Sequence, residues 1–176
     1  MARLESSLQR INQWDTALAV RCNLACRFGW AREVFRAVSR LGDGVFWYAL
    51  MLLMLVIYGA EALGAVARMA LAGMFGVALY GALKSATARP RPCEVYPTIT
   101  AQAAPLDRFS FPSGHTLHAV SFSSIATAYY PDLGAPLWSF AALVAASRPI
   151  LGLHYPSDVL AGALMGWAIA IMVLSV

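Results

Sequence analysis

Five charge-free apolar runs constrain this chain most, because runs of this length suit lipid better than water. They extend over residues 44–60, 69–83, 116–131, 133–147 and 159–176. Flanking residues can lengthen each run towards the roughly 20 residues that cross the hydrocarbon as a helix. The composition agrees, with 60% hydrophobic and 12% charged residues in 176. The sequence therefore predicts an all-α polytopic membrane bundle with five crossings, in a single domain over residues 1–176.

The first 40 residues differ from the rest, since they carry seven arginines and three acids. A helical spacing of apolar side chains runs through Leu4, Leu8, Ile11, Trp14 and Leu18. This pattern predicts an amphipathic helix at the membrane surface. The alternative is a sixth crossing from about Trp14 to Trp30, which would place Arg21 near mid-bilayer at a cost of about 2.5 kcal/mol or more. We expect no cleavable signal peptide, because this start has no compact apolar core and no small-residue cleavage site.

Polar residues at the ends of the apolar runs fall on one side of the membrane if successive runs cross in opposite directions. The run from residue 69 ends at Lys84, a polar loop over 85–111 leads to His115, and the fourth run returns at Arg148. We call this shared side side A. Three separated segments within residues 84–158 therefore form one candidate site.

The cysteines and the remaining loop charges receive no chemical role from the sequence. Cys22 and Cys26 lie four apart, on one face of the first helix, without histidines beside them, so they suit small apolar packing better than zinc. We expect no metal and no cofactor. Arg89 is assigned to lipid headgroups, and Asp107 is expected to pair with its neighbour Arg108.

A phosphate site is indicated by Ser113 and Gly114, which stand just before an apolar run. A helix that begins there directs free N–H groups towards the loop, and such helix starts bind phosphate. Lys84, Arg91 and Arg148 supply positive charge, and guanidinium groups match paired phosphate oxygens.

Two histidines complete the predicted chemistry. His154 is the candidate nucleophile, and Asp158 is expected to accept a hydrogen bond from its other ring nitrogen and fix the tautomer. His115 is left to protonate the departing alkoxide. His118, one turn further on, is expected to support or pack. Pro156 is compatible with a first helical turn, whereas Pro149 is expected to end or kink the fourth crossing.

These residues resemble the three signature motifs of the type 2 phosphatidic acid phosphatase superfamily, which includes vanadium haloperoxidases and glucose-6-phosphatase. The matching segments are Lys84-x6-Arg91-Pro92, Pro112-Ser113-Gly114-His115 and Ser147-Arg148-x5-His154-x3-Asp158. The resemblance implies a metal-independent phosphatase with a phosphohistidine at His154. It also implies His115 as the acid, with Lys84, Arg91, Ser113, Gly114 and Arg148 on the phosphate. Members often have six crossings, so the basic first helix is a departure.

The predicted function is therefore an integral membrane lipid phosphatase that removes a terminal phosphate from a lipid phosphate or diphosphate. The resemblance suggests phosphatidic acid, phosphatidylglycerophosphate or undecaprenyl diphosphate as substrate. The alternatives are a vanadate-dependent haloperoxidase and a non-catalytic binder or transporter of lipid phosphates. Membrane lipids are the expected partners, and nucleic acid is not.

The predicted location is the bacterial cytoplasmic membrane. The basic loops of side A favour the cytoplasmic face by the positive-inside tendency. The resemblance implies the outer face, and we expect the active site on the periplasmic side.

Overall fold

The computed structural model describes residues 2–176, and it describes side chains from residue 12 onward. Eight α-helices follow one another, with three short 3-10 helices at Leu24–Arg27, Gly59–Ala62 and Pro131–Leu133. The helices are α1 Ala2–Asn23, α2 Gly29–Gly42, α3 Val45–Tyr58, α4 Leu63–Thr87, α5 Pro92–Val95, α6 Gly114–Tyr129, α7 Gly134–Ile150 and α8 Pro156–Leu174. The described part of the chain contains no strand, so the all-α prediction is confirmed.

Each predicted apolar run coincides with one helix, namely α3, α4, α6, α7 or α8. Two helical stretches, Val45–Val95 and Pro156–Leu174, are long and apolar enough to cross a membrane, and the first contains both α3 and α4. Large apolar side chains such as Val56, Leu160 and Trp167 are exposed on these stretches, as expected of a surface in contact with lipid. The count of five crossings stays a prediction.

Helix α6 lies at the centre of the bundle and packs against α4, α7 and α8. Its Leu117 and Ile125 are fully buried in the main apolar core, together with Met69 of α4 and Val144 of α7. The residues that start α6 therefore stand where four helices meet.

Two glycines of α8 allow a very close approach to α6. A Cβ atom on Gly162 would lie 2.5 Å from the carbonyl oxygen of Ser113, and one on Gly166 would lie closer still to the carbonyl oxygen of Leu117. Only glycine fits both positions without a shift of backbone. This Gly-x3-Gly spacing is typical of tightly packed membrane helices, and it holds the start of α6 against the third sequence motif.

The N-terminal segment forms two helices, so the prediction of a single first helix is wrong in extent. Helix α1 ends at Asn23, whose side-chain amide donates to the carbonyl oxygens of Thr100 at 3.1 Å and Ile150 at 2.9 Å. Cys22 lies in α1 and Cys26 in the 3-10 turn, not on one helical face. The helix is interrupted within residues 14–30, the range of the six-crossing alternative, by the 3-10 turn at Leu24–Arg27. The choice between five and six crossings stays a prediction.

The expected apolar stripe on α1 is described only in part. Leu4, Leu8 and Ile11 lie outside the described side chains. Further along the helix, Trp14 is 70% exposed and Leu18 is 43% exposed. An exposed apolar face of this kind is what a helix at a lipid surface presents.

Candidate active site

The three motifs meet around one cavity of about 1060 Å³, the reaction cavity. Of the eight predicted site residues, six line it: Lys84, Arg91, Gly114, His115, Arg148 and His154. Ser113 and Asp158 are fully buried behind them. The structure therefore brings together segments that are up to 74 residues apart, as the alternation of crossings predicts.

Ser113 is the N-cap of α6, and its hydroxyl accepts from the backbone N–H of Thr116 at 3.5 Å. The backbone N–H of Ser113 donates to the carbonyl oxygen of Asp158 at 3.1 Å. The predicted helix start is confirmed, and this bond fixes it to the start of α8. The free N–H groups of the first turn of α6 belong to residues that line the reaction cavity, Gly114 and His115.

His154 is held by a backbone carbonyl group. Its Nδ1 lies 2.6 Å from the carbonyl oxygen of Ser110, and its Nε2 lies 3.4 Å from Nη1 of Arg91. Because a carbonyl oxygen only accepts, Nδ1 carries the proton and the lone pair remains on Nε2. The ring is 1% exposed, and this burial, with the charges of Arg148, Arg91 and Lys84, lowers the pKa of His154 well below 6.5. A neutral imidazole with its lone pair on Nε2 is the nucleophilic form.

The predicted hydrogen bond between Asp158 and His154 is wrong in geometry. Oδ2 of Asp158 lies 3.7 Å from Nδ1 of His154, which exceeds hydrogen-bond distance. Asp158 instead accepts from the backbone N–H of Tyr155 at 2.9 Å and from Nη1 of Arg89 at 2.6 Å. The carboxylate therefore holds the residue that follows His154, while the Ser110 carbonyl fixes the tautomer.

Arg89 is engaged in ion pairs within the protein, a role that the assignment to lipid headgroups did not include. Its guanidinium group pairs with Asp158 and, at 2.8 Å, with Asp15 of α1. It also lies 4.0 Å from the centre of the Tyr155 ring. Asp15 in turn accepts from the backbone N–H of Ser157 at 2.9 Å. We call Asp15, Arg89 and Asp158 the carboxylate clamp, and through it α1 becomes part of the support of the site.

Asp107 pairs with the site cations, and the predicted pair with Arg108 is wrong. Its carboxylate lies 2.5 Å from Nζ of Lys84 and 2.8 Å from Nη2 of Arg91. Burial of Asp107 opposes its ionisation, but the hydrogen bond from Lys84 and the two cationic charges outweigh burial and lower the pKa of Asp107. Two of the three cations expected to hold phosphate are thus bound by a carboxylate here.

The third cation, Arg148, retains unused donor capacity. It is 2% exposed, and its Nη1 donates to the hydroxyl of Ser39 on α2 at 2.5 Å. Within the described residues its Nε has no hydrogen-bond partner. A buried guanidinium N–H without an acceptor is costly, so this donor suits a ligand oxygen in the cavity.

His115 contacts the carboxylate of Asp43 through Nε2. Asp43 follows α2 and stands between Gly42 and Gly44. Sequence reasoning missed both Asp43 and Ser39, although an acid at the very start of an apolar run is a readable signal. Helix α2 therefore contributes to the site beside the three motifs.

The reaction cavity continues from the cations along α3 and α4, where Trp47, Met51, Met69, Met74 and Val77 line it. His118 also lines it and stacks on Phe122, with Tyr80 on its edge. Among the described residues no three His, Cys, Asp or Glu side chains form a group that would hold a metal ion. The site thus joins a cationic end to an apolar groove.

An all-helical apolar bundle with imidazoles and cations around one cavity at its helix ends is the architecture of a class of membrane phosphatases. The chain belongs to the PAP2 superfamily, whose family model matches residues 61–176. The family prediction is confirmed, and the fold is that of the PAP2-type lipid phosphatases.

Two crystal structures are similar to this chain. Aquifex aeolicus LpxE has a TM-score of 0.80 and 27% identity, over 91% of this chain and 94% of that one. The first transmembrane PAP2 type phosphatidylglycerolphosphate phosphatase from Bacillus subtilis has a TM-score of 0.74 and 24% identity, over 94% and 85%. No curated protein matches this chain in sequence.

Proposed function

We propose that this protein is an integral membrane lipid phosphatase that removes a terminal phosphate from a lipid phosphate or diphosphate without a metal ion. The observation that carries the proposal is the continuity of the reaction cavity. Its cationic end contains Lys84, Arg91, Arg148 and two histidines, and its other end is apolar between α3 and α4. A phosphate group fits the first part and an acyl or prenyl tail fits the second.

In the proposed reaction, Nε2 of His154 attacks the phosphorus atom. The P–N bond forms, the P–O bond to the lipid breaks, and His115 gives its proton to the leaving oxygen. Water then attacks the phosphohistidine, His115 takes a proton from that water, and the P–N bond breaks to release phosphate. His154 and His115 return to their starting states, so atoms and charge balance.

Charge stabilisation comes from Lys84, Arg91, Arg148 and the N–H groups at the start of α6. These donors are placed to hold the equatorial oxygens of phosphorus, where negative charge is spread in the transition state. For Lys84 and Arg91 to bind phosphate, Asp107 has to release them. The substrate therefore exchanges one anion for another at these two residues.

Bacterial membrane phosphatases share this fold, and one structural neighbour is named for phosphatidylglycerolphosphate. Phosphatidic acid, phosphatidylglycerophosphate and undecaprenyl diphosphate are the candidate substrates in this proposal. Each has a phosphate at the headgroup and long apolar tails, as the two ends of the reaction cavity require.

The test is phosphate release from these three lipids by purified protein in detergent. We expect His154→Ala to lose about 10⁴-fold or more in turnover, since no other group replaces a lost nucleophile. His118→Gln is the matched control, because it removes the histidine to which the proposed reaction gives no step. Turnover by a folded His154→Ala protein would exclude the phosphohistidine. Loss of wild-type activity on chelation, with recovery in magnesium, would exclude the metal-independent reaction.

We also propose that the site faces the periplasm of a bacterial inner membrane. Cys93 lies in the loop between Lys84 and His115 and is partly exposed, so it reports on side A. After replacement of Cys22 and Cys26, a membrane-impermeant thiol reagent should label Cys93 in intact cells. Labelling only after the cells are opened would place the site in the cytoplasm.

A further inference from the structure

A second cavity, of about 680 Å³, lies on the α2 side of the site, and we call it the α2 cavity. It shares Asp43, Leu106, His115 and Arg148 with the reaction cavity. Its remaining lining comes from α2 and from residues 102–104 of the loop. The imidazole of His115 and the guanidinium group of Arg148 therefore lie between the apolar groove of the reaction cavity and the polar α2 cavity.

The α2 cavity has more arginine than its own carboxylates use. The carboxylate of Glu33 already pairs with Nη1 of Arg36 at 3.0 Å, and the carboxylate of Asp43 contacts His115. Arg40 is exposed, and within the described residues it forms no ion pair or side-chain hydrogen bond. Arg148 adds a buried guanidinium whose Nε has no partner among those residues. Guanidinium groups in surplus favour an anion with several oxygens, such as phosphate.

The position of His115 indicates which part of a substrate would lie next to the α2 cavity. If His115 protonates the leaving oxygen, whatever is bonded to that oxygen begins at the boundary of the two cavities. An alkyl chain continues into the apolar groove. A second phosphate group at this boundary finds guanidinium donors on its α2 side, while the tail that it carries continues into the apolar groove.

We propose that the α2 cavity is a second phosphate-binding site, with Arg40 as its free ligand and Arg148 shared with the reaction centre. This inference rests on the proposed phosphatase function. The phosphate has two possible sources with the same chemistry. One is the inner phosphate of a lipid diphosphate, and the other is the orthophosphate released after hydrolysis.

The first experiment needs no turnover. Purified protein in detergent is titrated calorimetrically with orthophosphate and with inorganic pyrophosphate, for the wild type, Arg40→Gln and Arg27→Gln. Arg27 is another exposed arginine, outside both cavities, so it controls for lost charge. We expect Arg40→Gln to weaken binding of at least one of these anions about tenfold, and Arg27→Gln to leave both unchanged.

The second experiment separates the two sources. A lipid diphosphate and a lipid monophosphate with the same tail are compared as substrates. Loss of kcat/KM by Arg40→Gln on the diphosphate alone assigns the site to the inner phosphate. Weaker inhibition by orthophosphate, with kcat/KM kept on both lipids, assigns it to the released product.

The inference is overturned if Arg40→Gln behaves like Arg27→Gln in the titrations and in the kinetics. Failure of the proposed function looks different, because the wild type would then release phosphate from neither lipid. In that case the titrations alone decide, and an anion that binds through Arg40 supports the site without catalysis.

Discussion

The two imidazoles that we propose for catalysis stand in contrasting surroundings. His154 is enclosed, with Nδ1 on the Ser110 carbonyl and the carboxylate clamp behind the following residue. His115 lies on the boundary of two cavities, where its Nε2 contacts the carboxylate of Asp43, which is 31% exposed. One ring is fixed by the backbone and a buried ion-pair network, and the other meets a side chain that solvent reaches.

The difference matches the work proposed for each ring. A nucleophile has to keep one tautomer and one orientation, and a carbonyl partner with no freedom to ionise provides both. A general acid has to gain and lose a proton in each cycle, so it benefits from contact with water and with a movable carboxylate. The contrast predicts that changes around His154 affect all substrates, while changes at His115 depend on the leaving group.

The largest difference between two substrates is expected for His115→Gln. With an alkyl lipid phosphate, kcat/KM should fall by about 10² to 10⁴-fold, the usual contribution of a positioned acid. With a nitrophenyl phosphate the loss in kcat/KM should nearly vanish, because kcat/KM reports transfer of phosphate to His154 and nitrophenolate leaves without protonation. His154→Ala is the reference, since it should lose activity on both substrates alike. Equal losses of His115→Gln on both would remove the acid role.

A second expected effect concerns the carboxylate clamp. Arg89→Gln leaves Asp158 and Asp15, which are 0% and 6% exposed, without their cation. Breaking a buried pair from one side costs about 3–5 kcal/mol, and we expect the lower end because Arg89 is a quarter exposed. The free energy of unfolding in detergent measures it, with Arg27→Gln as control. If Arg89→Gln has the same free energy of unfolding as Arg27→Gln, the carboxylate clamp does not stabilise the fold.

The convergence of the three motifs could be predicted from the sequence, because it depends only on the number and order of the membrane crossings. Apolar runs set the crossings, alternation sets the side, and Lys84, His115 and His154 then have to meet. The cap at Ser113 and the start of α8 at Pro156 were readable for the same reason, as both are local signals. Pro149 was readable as well, since α7 ends one residue after it, at Ile150.

The partners of His154 could not be predicted, because a backbone carbonyl such as that of Ser110 has no side-chain signature. The Arg89–Asp15 pair joins residues 74 apart and depends on how α1 packs, which the sequence does not specify. Asp107 was paired with its neighbour by proximity along the chain, whereas Lys84 and Arg91 are nearer in space. The Gly162-x3-Gly166 spacing, by contrast, was readable and would have indicated the contact between α8 and α6.

The smallest expected effect is a shift in pH dependence, and it bears directly on the enclosed imidazole. Burial and the charges of Arg148, Arg91 and Lys84 lower the pKa of His154, so the neutral nucleophile persists below pH 6.5 and is lost only as the pH falls through the lowered pKa. Lys84→Met removes one of these charges and should move the acid limb of kcat/KM to higher pH. Arg68→Met, on the same helix and paired over the Tyr129 ring, should leave the limb in place. Measuring both on one substrate cancels ionisation of the phosphate. If the acid limb of kcat/KM stays at the same pH in Lys84→Met, a group other than His154 sets that limb. The difference between the two imidazoles would then lie in the fixed tautomer of His154 and not in its pKa.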